Sequence, residues 1–128
     1  MSTAATSTGN DQPDREAIDP DILDLEPMAR NFGFIGPTVI GLLALFLANM
    51  DTLTGMLVAQ VGHGDGEAAR MAAHAAAGAA HTAGARRLGL LLSRIEALLA
   101  EGDTATAALA ATAIDHELAE VRRMISRL

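Results

Sequence analysis

The chain has no cysteine, no tryptophan, no tyrosine and no lysine, so that all nine of its basic residues are arginine. Without cysteine there can be no disulfide and no thiolate zinc site, which agrees with a reducing compartment. Aromatic residues number only three, Phe32, Phe34 and Phe46. A core for 128 residues must therefore come from Leu, Ile, Val, Met and abundant Ala, material that suits close-packed helices and gives a sheet little to work with. No segment alternates as a half-buried strand would. Phosphate-loop, Ser-His-Asp and metalloprotease motifs are all missing, so an autonomous enzyme is not expected. The net charge of -7 argues against nucleic acid as a partner.

The charge is uneven. Residues 1–30 hold seven acids against Arg15 and Arg30, whereas residues 86–128 balance six acids with six arginines. Residues 1–17, rich in Ser, Thr, Ala, Gly and Asp, show no apolar periodicity and are expected to form a disordered tail. They lack the basic start and apolar stretch of a secretory signal, so a cytoplasmic chain is expected. The remainder, 18–128, has the size of one domain.

Asp19-Pro20 reads as the start of a short helix ending near Pro27. After the glycines around Phe34, a long helix is expected to reach about Val61, with Val39, Leu42, Leu43, Phe46, Leu47, Met50, Leu53 and Leu57 at helical spacing. Phe34 to Met50 is a charge-free run of 17 residues, close to the length of a membrane span. Its apolar positions continue past Asp51 while Gly41, Asn49, Thr52 and Gln60 fill other faces, so a core helix is the better reading. The stretch Gly62-His63-Gly64-Asp65-Gly66 is a turn. It folds the next helix back onto the long one.

That next helix is almost all alanine and carries His74 and His81. At about 100° per residue, Glu67, Arg70, Ala77, Gly78 and His81 share a face with His74, while Ala69, Ala72, Ala76, Ala79 and Ala83 lie opposite. One face packs and the other is presented, with glycine one turn after the histidine clearing an approach for a docking protein. Gly84 reads as the stop. Leu88, Leu91, Leu92, Ile95, Leu98 and Leu99 define a further amphipathic helix ended by Gly102. Asp103 or Thr104 can cap the last one, whose stripe is Ala110, Ile114, Leu118, Val121, Ile125 and Leu128. The expected fold is all-α, an antiparallel up-down four-helix bundle with a short extra N-terminal helix.

His74, Gly78, Ala79, Ala80, Gly84 and Ala85 stand where the histidine-containing phosphotransfer (HPt) family has its pattern H-x-L-K-G-[SA]-[SA]-x-x-x-G-A. The chain resembles that family from about Ile18 to the C-terminus: "AIDPDILDL" is similar to its first short helix, "LLALFLANMDTLTGMLVAQVGHGD" to its second helix and glycine turn, and "GARRLGLLLSRIEALLAEGD" to the helix after the motif. Two positions depart: Ala76 replaces the usual leucine and Ala77 the usual lysine. The resemblance implies a phosphocarrier, not an enzyme. His74 would accept a phosphoryl group from a receiver-domain aspartate of a response regulator and pass it to another receiver, with a hybrid histidine kinase as a further partner. It implies no cofactor on this chain, the magnesium ion belonging to the receiver, and a monomer away from membranes.

Around His74, the expected phosphate-assisting and receiver-binding residues are Arg70, Ala77, Gly78 and His81. Since any assisting cation must be an arginine, Arg70, one turn before His74, is the one placed to replace the missing lysine. Arg86 and Arg87 lie beyond the helix stop, where solvation or an acidic receiver surface would suit them. His81, two turns or about 10 Å from His74, is too far for a direct hydrogen bond and reads first as an exposed polar residue. Nor does that spacing build a metal site. His63 reads as a turn residue and His116 as water-facing. Two other classes stay open: an adaptor of the same fold that docks a receiver or kinase without carrying phosphate, and a structural module self-associating through Phe34 to Met50.

Overall fold

A computed structural model describes residues 18–128, and their regular structure is entirely helical. The tail expected over residues 1–17 lies outside the described residues. In chain order the helices are α1 (Glu26–Phe32), α2 (Pro37–Gly62), α3 (Gly66–Ala83), α4 (Arg86–Ala100), α5 (Thr104–Ala111) and α6 (Ile114–Ile125).

The first helix begins where the sequence reading ended it. Between Asp19 and Leu23 the chain makes a single turn, in which the Ile22 and Leu23 amides donate to the Asp19 carbonyl. The Asp24 amide then donates to the Gly84 carbonyl at 2.8 Å, and the Arg87 amide to the Asp21 carbonyl at 3.0 Å. Backbone groups spent on the α3–α4 junction cannot also extend a helix from Asp19. Pro27, which has no N–H and would break such a helix from inside, is instead harmless in the first turn of α1.

Helix α2 opens with Pro37 in its first turn and turns Val39, Leu43, Phe46, Met50, Thr54 and Leu57 inward. It is long and apolar enough to cross a membrane by length and composition. Here its inner face packs on α3, α5 and α6. The Asp65 carboxylate caps α3 by accepting from the Ala68 amide at 3.0 Å. At its other end Gly84 takes the left-handed conformation, φ 83°, while the Ala85 amide returns to the Ala80 carbonyl. A Cβ on Gly84 would overlap the Asp24 carbonyl, so the position needs glycine for its backbone and for its closeness to a neighbour.

Alanine makes α3 the close-packed centre of the fold. Its most extensive neighbour is α4, which contributes the fully buried Leu88, Leu92 and Ile95, and its next is α2. The remaining side, between α4 and α2, is closed by α5 and α6 together. The single last helix expected from the sequence is thus two helices. Thr112 breaks it, its hydroxyl donating to the Leu109 carbonyl at 2.7 Å and its amide to the same oxygen. Such side-chain bonding back to the previous turn tightens and bends a helix.

Candidate histidine site on the third helix

His74 projects from the outer face of α3 with 74% of its side chain accessible. The ring is nonetheless fixed: Nδ1 lies 2.8 Å from Oε2 of Glu96 on α4. With the Glu96 carboxylate as acceptor, Nδ1 is the protonated nitrogen of the neutral ring, and the lone pair is left on Nε2. Glu96 itself is three-quarters covered, so packing narrows the directions its carboxylate can take.

His81 shows a second version of the same contact two turns on. Its Nε2 lies 3.1 Å from the Ser93 hydroxyl, and its ring rests on Gly89, where any Cβ would collide with it. Both histidines are exposed, and both lean on α4. His74 and His81 therefore meet different residues, seven positions apart on α3 as Gly89 and Glu96 are on α4.

Arg70 stands one turn before His74 and is half-buried. Its guanidinium grips both carboxylate oxygens of Glu67, Nε to Oε1 at 3.0 Å and Nη2 to Oε2 at 2.7 Å. That bond and charge hold the Glu67 carboxyl below the usual range, and Glu67, with a smaller contribution from Glu96, raises Arg70 in turn. Arg70, Met71, His74 and Glu96 line one shallow depression of about 400 Å³. A guanidinium, an imidazole and a carboxylate thus line the same depression.

Ala77 is corrected. Expected on the presented face, it is only 4% exposed, because the buried arc of α3 takes in Ala73, Ala77 and Ala80 as α4 closes over that flank. Ala79, expected to pack fully, is half-buried instead. Gly78 is exposed, and a Cβ there would meet nothing within 4 Å. Beside it opens an apolar groove of about 580 Å³ whose walls include Met28 and Phe32 of α1, Leu42, Leu45 and Phe46 of α2, and Ala79 of α3. Arg87 is not presented to a partner but bonds Glu117 of α6 at 2.9 Å, tying α4 to α6. Arg86, His63 and His116 are exposed.

Glu96 was not singled out by sequence. Its one signal is position: Gly89, Ser93 and Glu96 form a small and polar strip beside the leucine face of α4, in the same seven-residue step as the two histidines. A family model described as the Hpt domain matches residues 41–128. Comparison with curated proteins gives no match, and comparison with solved structures gives none.

Proposed function

Because the chain belongs to the Hpt domain family, whose members act as phosphocarriers in phosphorelays, we propose that His74 is its phosphorylated residue. The carrying observation is the ring itself, accessible to a partner yet held at Nδ1 by Glu96. Nε2 of the neutral ring attacks the phosphorus of an aspartyl phosphate on a receiver domain. The P–N bond forms as the P–O bond to the aspartate breaks, and the freed carboxylate keeps the bonding pair. Nδ1 retains its proton, so the phosphorylated ring is cationic, and the Glu96 carboxylate stabilises it where the charge develops. The reverse sequence hands the group to a second receiver. Phosphoryl transfer depends on positioning and charge neutralisation, and on this reading the receiver supplies the magnesium ion.

The receiver docks over Gly78 and the adjoining groove, with His81 at the edge of its footprint. Within the chain, empty space surrounds Gly78, so its smallness serves a surface that arrives from outside. Exposed Phe32, Leu42 and Leu45 give that surface apolar anchors in the groove that Gly78 lines. A cytoplasmic location, as expected from the sequence, suits exchange with receiver domains.

A second reading, the adaptor that docks a receiver or kinase without carrying phosphate, is favoured by Ala77, which leaves the usual lysine position without a cation. One experiment separates the two. After incubation with a radiolabelled phosphoreceiver, the carrier gains label that is lost in acid and kept in alkali, and His74→Gln gains none. An adaptor stays unlabelled, and its effect on the partner survives that substitution.

A further inference from the structure

Glu67 and Arg70 fall outside the transfer step just described, yet they sit on the same face of α3 as His74, in successive turns. The guanidinium is gripped by Glu67 from one turn below, and His74 lies one turn, about 6 Å of rise, above it. Of the arginines, Arg70 is the one that lines the depression around His74 among the described residues. Glu96, the other carboxylate there, is already engaged by Nδ1. Phosphorylation adds a dianionic group to Nε2, and the arginine that lines this depression among the described residues is bound to another carboxylate.

We propose that Glu67 is a competing counter-ion for Arg70: it holds the guanidinium while His74 is unmodified, contests it with the phosphoryl oxygens afterwards, and so limits how firmly this protein keeps its phosphoryl group. The inference rests on the carrier reading above. The Arg70–Glu67 pair faces water, with side-chain accessibilities of 34% and 69%. Exposed pairs of this kind contribute about 1 kcal/mol or less, so breaking one to follow a stronger anion costs little. A phosphoryl group offers the guanidinium the same two-point geometry with about twice the charge. Arg70 therefore turns from Glu67 toward His74 when phosphate is present, and Glu67 pulls against that turn. The residual pull favours release to a receiver, whose own cation takes over.

The test loads His74 chemically with phosphoramidate, whose P–N bond breaks as the bond to Nε2 forms and ammonia leaves. The His74→Gln protein measures label on any other histidine. Hydrolysis half-lives are then compared for wild type, Glu67→Gln, Arg70→Gln and the double variant, with circular dichroism melts checking that each is folded. Glu67→Gln is expected to lengthen the half-life about two- to fivefold, the span of an exposed pair, and to do nothing when Arg70 is also replaced. In wild type, the Arg70 Nε resonance is expected to shift on phosphorylation. Equal half-lives for wild type and Glu67→Gln would overturn the proposal, as would the same lengthening without Arg70, which would mean plain charge repulsion. Label that never reaches His74 removes the carrier reading and this one with it, whereas label with unchanged lifetimes removes this one alone.

Discussion

Two glycines of the motif do opposite things. Gly84 is needed by the fold: its φ of 83° and the Asp24 carbonyl beside it leave no place for a side chain. Gly84→Ala is expected to lower stability by more than about 1 kcal/mol, from the left-handed backbone alone, as read by urea denaturation. Gly78 sits within α3 with open space where its Cβ would be. The same measurement on Gly78→Ala should show a gain of about 0.5–1 kcal/mol, since a helix interior prefers alanine. Gly78→Leu should also fold yet slow transfer from a receiver. If it transferred at the wild-type rate, the docking surface would have to lie elsewhere. Ala77 marks the limit of arithmetic on one helix: a wheel places it near His74, but which flank α4 covers depends on the neighbour.

At the level of elements, capping was more legible than helix extent. Asp103 caps α5, accepting from the Thr106 amide at 3.1 Å, and bonding with Thr106 holds its carboxyl below the ordinary 3.8. A depressed folded-state pKa contributes stability that is complete above the unfolded value and fades as pH falls through the folded one. The stability difference between wild type and Asp103→Asn is therefore expected to be constant from neutral pH down to about 5 and to shrink below about 4. Melting curves across that range would show it, and a difference that grew on acidification would contradict the cap. The start of α1 at Glu26 depends on distant partners, the backbone bonds that the preceding turn makes to the α3–α4 junction, and was not readable. The break at Thr112 is local, a hydroxyl bond to the carbonyl three residues back, and the apolar stripe running past it conceals it.

The whole molecule combines a carboxylate-held histidine with an apolar groove that none of the helices among the described residues fills. Leu45 lines that groove with 69% of its surface accessible, so replacing it costs the fold little. Leu45→Glu is expected to leave the melting temperature within a few degrees of wild type and to weaken receiver association at least tenfold, the size of a lost apolar anchor. Calorimetric titration with the receiver checks this, and an unchanged affinity would move the interface off the groove. The charge-free stretch in α2 acquires its meaning at this scale. One side of it is core against α3, and the other furnishes the groove wall.

Periodicity, caps and the glycine stop were enough to determine an all-α chain with His74 on an outward face, because helical spacing and left-handed turns are local properties carried by neighbouring residues. The partner of that histidine was decided only by tertiary packing. Glu96 stands 22 positions away, and an isolated glutamate on a helix reads as solvated until α4 is laid against α3 and the carboxylate meets Nδ1. The same packing buried Ala77 and opened the groove beside Gly78. Each of these depends on how close two helices come and on which side, and no single segment contains that information.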